Sequence, residues 1–139
     1  MLPKLVALFS TVAMLFFMGL LMFSTLPLLV LKHDTPLDAR FICGVFNTFL
    51  VAMILAATLA TVSWVIVGQA GFALRMGCIG AYAFAVRLWV LSRMDRVRDT
   101  MQTTDPAYAA KFRRLHVSGM LLNFAQLGFL ALSLTQLAI

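Results

Sequence analysis

His116 and Asn123 are the residues best placed to do chemistry in this 139-residue chain. They lie seven positions apart in an apolar stretch, which puts them two turns apart on one face of a helix. Gly119, Met120, Leu127 and Leu130 fall on the same face. An imidazole and a carboxamide on one inward face can hold a small polar ligand. The same pair can instead tie helices together through hydrogen bonds, with glycine allowing close approach. Spacing alone leaves both readings open. Arg87 is the next candidate, because it is the one charge well inside an apolar run. Such an arginine either serves a function within a bundle or lets its long side chain snorkel toward Arg93 and the polar surface, which is the favoured expectation here. If it turns inward, Asn47 and His116 are its candidate neighbours.

Other chemistry is poorly supported. His33 and His116 are the two imidazoles that could ligate a haem or a metal, but their spacing forms no motif, and His33 sits among charged residues. No HExxH, GxSxG or phosphate-loop pattern is present. Cys43 and Cys78 each lie in an apolar run with no second cysteine at ligand spacing. They are expected to be small buried hydrophobes near opposite ends of neighbouring helices, too far apart to bridge. The residues therefore predict no catalytic site, no metal and no cofactor.

Composition says what must position these side chains. The chain is 63% hydrophobic and 12% charged, about half the charged fraction of a soluble domain (roughly 25%). It contains no glutamate, and its five aspartates all fall in two polar stretches. That apolar surplus exceeds what a small core can bury and requires lipid. The net charge of +6 sits at the ends of apolar runs. This matches anionic lipid headgroups rather than nucleic acid, which needs an interleaved aromatic and basic surface.

Four spans follow from the punctuation. Residues 5–31 carry no charge, and Pro27 ends or kinks a first helix at about 5–26. Lys32 to Arg40 is a polar loop with a Thr35-Pro36 turn, and Asp38 is a candidate cap for the next helix. The uncharged run from Phe41 to Leu74 would be about 51 Å long as one helix, so it must break, and Gly68-Gln69-Ala70-Gly71 is the place. This gives helices at about 41–67 and 72–92, with Trp64 expected in the interfacial aromatic belt. RMDRVRDTMQ reads as an amphipathic continuation in which Asp95 and Asp99 can pair with Arg98 or Arg96. Asp105-Pro106 restarts the chain as N-cap and first helical residue of a helix at about 106–137, whose membrane part begins near Leu115. Gly77, Ala81 and Ala85 on the third helix, and Ala52, Ala56 and Ala60 on the second, are candidate close-packing faces.

The loops 32–40 and 93–115 hold eight cations, against Lys4 and Arg75 on the other side. The positive-inside rule then predicts both termini outside the cytoplasm. It also makes Arg93, Arg96, Arg98, Lys111, Arg113 and Arg114 a candidate cytoplasmic docking or lipid-headgroup surface.

The segment DPAYAAKFRRLHVSGMLLN resembles the closing motif of the transmembrane protein 205-like family, whose bacterial branch is a domain of unknown function. The pattern is D-P, then F-x-R-L-H, then N seven positions after the H, here Asp105, Pro106, Phe112, Arg114, Leu115, His116 and Asn123. Leu91 to Arg98 is similar to the family stretch that follows its third helix, and Phe46 early in the second helix follows the family layout. Gly119 stands where the family has serine, Asn47 where it has proline after the early phenylalanine, and Ser92 where it has proline. The resemblance implies a four-helix integral membrane protein and little about mechanism. Its vertebrate member is linked to drug export and resistance. The four-helix membrane glutathione and eicosanoid enzymes are of similar size, but they need a glutamate that this chain lacks, and the spacing from His116 to Asn123 is too long.

The expectation is thus an all-α four-span bundle of the bacterial inner membrane. It acts without catalysis, by self-association or as an accessory subunit of a larger membrane complex, in contact with anionic lipid. The alternative is an oligomeric transporter or small-ligand carrier with a polar pocket formed by Arg87, His116 and Asn123.

Overall fold

The computed structural model describes residues 1–30, 35–100 and 106–136. Helix α1 (Leu2–Thr25) starts with proline in its first turn and gives way to a 3-10 turn at Pro27–Val30. Helix α2 (Pro36–Ile66) begins five residues earlier than the first uncharged position suggested. Thr35 is its cap, accepting a hydrogen bond from the Asp38 backbone N–H at 3.2 Å, while Pro36 occupies the first turn. The capping role expected of Asp38 therefore falls to Thr35. A proline whose missing N–H has no helical partner anyway fixes the start one turn upstream.

The break in the long apolar run lies where the glycines are. Gly68 has φ +80° and closes α2 as a left-handed cap. The Gly68 N–H donates to the Val65 carbonyl and the Gln69 N–H to the Trp64 carbonyl, each at 2.9 Å. This pair of reversed bonds satisfies the last carbonyls of the helix, and a glycine accepts the positive φ without steric cost. Helix α3 (Ala70–Val86) follows and passes through a π-helical segment (Arg87–Leu91) into α4 (Ser92–Asp99). Together they form one apolar-to-polar rod from Ala70 to Asp99. The last helix, α5, spans Pro106–Thr135. Asp105, the expected cap of α5, and His33 lie outside the described residues.

The architecture is an all-α four-helix membrane bundle, and the described residues contain no strand. Helix α2 is central, flanked by α1 and α3, and α5 closes the bundle against α1, α3 and α4. Only 33% of the most apolar window of each span is buried, so the remaining Phe, Leu and Val side chains face outward to lipid. The core between the helices is rich in fully buried methionine, at Met14, Met18, Met53, Met76 and Met94, whose flexible thioethers fill irregular gaps. Ser10, Thr11 and Thr25 on α1 return their hydroxyls to carbonyls one turn back, so these polar groups are satisfied without water.

Helices α2 and α3 pack closely at Ala57 and Gly80, where a Cβ on the glycine would stand 2.9 Å from the Ala57 Cβ. The small residues that pack are Ala57, Ala60, Ala73 and Ala83, all buried. Ala81 and Ala85, expected on that face, are exposed, while Ala52, Ala56 and Gly77 are half-buried. A stripe of small residues recurs on several helical faces, and only the crossing geometry selects which one meets the neighbour. Cys43 is buried but Cys78 is exposed on the outer surface, and neither is disulfide-bonded.

Candidate functional site

The inner face of α5 carries His116, Gly119, Asn123 and Gln126 in sequence order, all buried. His116 is fully enclosed and meets Phe46 of α2 edge to face, with ring centroids 5.6 Å apart and planes at 85°. One turn on, Gly119 faces the same ring. A Cβ there would lie 2.8 Å from Phe46 Cε1 and 3.5 Å from Val90 Cγ1. The Phe46 ring fills the space a larger side chain would need, so glycine lets α5 close on α2 at the level of the π-helical segment.

Deeper along the face, amide side chains reach the backbones of two other helices. Asn123 Nδ2 donates to the Met18 carbonyl of α1 at 3.1 Å, and Gln126 Nε2 donates to the Ile79 carbonyl of α3 at 2.9 Å. One helix thus ties two of its neighbours, α1 and α3, by hydrogen bonds that lipid cannot replace. Asn123 Oδ1 is buried and has no hydrogen-bond partner among the described residues. Trp64 forms a third interhelical link, donating its indole N–H to Thr11 Oγ1 at 3.1 Å. It is only 2% exposed, so it is a core residue and not the interfacial anchor that its place near the end of α2 suggested.

Arg87 also departs from the snorkelling expectation. Its Nε donates to Asn47 Oδ1 of α2 at 3.0 Å, and both residues are half-buried. The pair sits one position after Phe46 on α2 and at the first residue of the π-helical segment. It therefore adjoins the contact of Phe46 with His116 and Gly119.

The polar end of the bundle holds the cationic cluster, and the fold divides it. Arg98 is neutralised: it contacts Asp95 at 2.7 Å and Asp99 at 2.9 Å. Asp95 faces it because residues three positions apart share a helical face. Arg93, Arg96, Lys111 and Arg114 instead line one cavity of about 380 Å³ between α4 and α5, with Val97, Leu115 and Ser118 completing its wall and no acid among them. The Arg93 guanidinium also lies 4.1 Å from the centre of the Trp89 ring, a stacked cation–π contact. Arg113 and Arg114 border an adjoining cleft further round α5. A separate groove of about 240 Å³ runs between α3 and α5, lined by Cys78, Ile79, Tyr82, Ala125, Gln126 and Phe129.

The sequence residues thus resolve into three places. His116, Gly119 and Asn123 share the buried face of α5; Arg87 pairs with Asn47; and four of the six predicted surface cations ring one cavity, while Arg113 borders the next cleft and Arg98 is taken by acids. Sequence reasoning missed Gln126, although it lies three positions after Asn123 on the same face, and it missed the Trp64–Thr11 link, for which one chain offers no pairing signal. Among the described residues no group of three His, Cys, Asp or Glu side chains is close enough to hold a metal ion.

Comparison with protein-family models, curated proteins and solved structures gives no match.

Proposed function

We propose that this chain is a non-enzymatic protein of the bacterial inner membrane that works by assembly, either with itself or as an accessory subunit of a larger membrane complex. The observation that carries this reading is the use of the interior polar groups. Asn123, Gln126 and Trp64 each bind a neighbouring helix, which favours a rigid scaffold over a conduit. A rigid bundle with an outward apolar surface on every helix suits lateral contact with other membrane helices. Both termini lie outside the cytoplasm in this reading, because the cation excess of the 32–40 and 93–115 loops orients them inward. Membership of the transmembrane protein 205-like family is part of the same proposal and rests on the residues from Asp105 to Asn123. Native mass spectrometry of protein extracted in mild detergent tests it. Multiples of the chain, or a copurifying membrane subunit, are the expected result; a lone monomer from every mild extraction overturns it.

A second reading, an oligomeric carrier of a small polar ligand, draws on the Arg87–Asn47 pair at a π-helical segment, a feature common at functional sites, and on the buried Asn123 Oδ1. Flux into vesicles that survives the double substitution His116→Ala, Asn123→Ala would remove it.

A further inference from the structure

The cationic cavity and the apolar groove lie on the same seam. On α5, Lys111, Arg114, Ser118, Leu122, Ala125 and Phe129 follow one another at steps of three or four residues, so they form a single stripe. The facing rod presents Cys78, Tyr82, Trp89, Arg93 and Arg96 at steps of four, seven, four and three residues, with the π-helical segment between the apolar and the basic part. The stripe is cationic where it leaves the membrane and apolar inside it. The centre of the cavity and the centre of the groove are roughly twelve residues apart on α5 and about sixteen apart on the facing rod, which corresponds to about 18–24 Å of helix rise. Half of a bilayer, headgroup region included, is about 20–22 Å deep, so the spacing matches one lipid with its headgroup at the cavity and its chain reaching the groove.

We propose that this seam is a binding site for one anionic glycerophospholipid of the inner leaflet, with its phosphate among Arg93, Arg96, Lys111 and Arg114 and one acyl chain in the groove at Ala125 and Phe129. The four cations are exposed and line a cavity with no acid among its described lining residues, so their charge is available to a ligand. Stacking of Arg93 on Trp89 fixes one guanidinium at the depth where a glycerophosphate sits. Ser118 donates its hydroxyl to the Arg114 carbonyl at 2.8 Å, so recognition is by charge rather than by that hydroxyl. Arg98 is excluded because its guanidinium is held by Asp95 and Asp99. This site does not depend on the assembly reading, since a single chain supplies all of it.

The test is a lipid titration of the delipidated full chain in mild detergent, read by native mass spectrometry. The probes are dioleoyl phosphatidylglycerol, dioleoyl phosphatidylcholine, dihexanoyl phosphatidylglycerol and soluble glycerol 3-phosphate. The expected result is one tight phosphatidylglycerol per chain, with weaker phosphatidylcholine. Arg96→Gln with Arg114→Gln should lower the phosphatidylglycerol affinity by about tenfold or more, and Arg98→Gln by less than about twofold. Ala125→Trp should weaken the dioleoyl lipid and leave the dihexanoyl lipid unchanged. An unchanged helical circular dichroism spectrum and elution volume show that each variant is folded. Equal losses from Arg98→Gln and from the Arg96, Arg114 pair would mean a diffuse surface field and overturn the site. Displacement of the lipid by glycerol 3-phosphate would make it a soluble-phosphate site, and indifference to Ala125→Trp would remove the chain from the groove. Each of these outcomes overturns the proposal. So does a seam that closes on a second copy of the chain, seen as a dimer that excludes lipid.

Discussion

Helix α5 carries polar residues on two faces, and the bundle treats them in opposite ways. The face with His116, Gly119, Asn123 and Gln126 is buried, and its amides are tied to the carbonyls of α1 and α3. The face with Lys111, Arg114 and Ser118 is exposed, and its cations meet those of α4 across an open cavity. The difference teaches how a small membrane protein uses polar side chains. Away from water an unpaired polar group is costly, so inside the bundle the amide N–H groups of Asn123 and Gln126 are tied to specific carbonyls, which helps to fix the register of the helices. At the surface the same chemistry stays solvated and available to ligands.

Substitutions can break or sharpen this contrast. The largest effect is expected from Gly119→Leu, which drives a side chain into the Phe46 ring. It should cost about 3 kcal/mol or more, measured by thermal or SDS-induced unfolding in detergent, whereas Ser118→Leu next to it should change stability by less than about 0.5 kcal/mol. Equal costs would show that the two faces are not distinguished by packing. Asn123→Ala comes next, at about 1–2 kcal/mol, since it removes the bond to the Met18 carbonyl and leaves a small cavity. A gain in stability instead would mean that burial of the Asn123 Oδ1 outweighs the bond made by Nδ2.

A smaller effect links the buried and exposed regions. A double-mutant cycle on Arg87→Gln and Asn47→Ala should give a coupling of about 0.6–1.7 kcal/mol. Zero coupling would return Arg87 to the headgroups. Arg98→Gln should have the smallest effect, under about 1 kcal/mol and fading with added salt, because its pairs with Asp95 and Asp99 are partly solvated. A loss that persists at high salt would place Arg98 in the packed part of the molecule.

Much of the fold was legible because lipid imposes simple rules. Uncharged runs of sufficient length marked the four spans, the glycines near Gly68 marked the break, and Pro27 and Pro106 marked an end and a start. The inward face of α5 was legible from His116, Gly119 and Asn123 at helical spacing. Trp64 was misplaced because its position near a helix end fits an interfacial anchor as well as a core residue, and only Thr11 on another helix decides between them. The choice of Ala57 and Gly80 over Ala81 and Ala85 had the same origin: small residues permit close approach on any face, and the crossing chooses one. Arg87 was ambiguous because its length lets it reach either the headgroups or a partner.

By itself the sequence determined the number of membrane helices, their approximate limits and the polar end of the molecule, because burial of backbone in lipid depends on local composition. The tertiary structure alone decided which polar groups meet. Asn123 with Met18, Arg87 with Asn47, and Trp64 with Thr11 are each far apart in the chain, and their pairing follows from helix rotation and crossing, which no local pattern encodes.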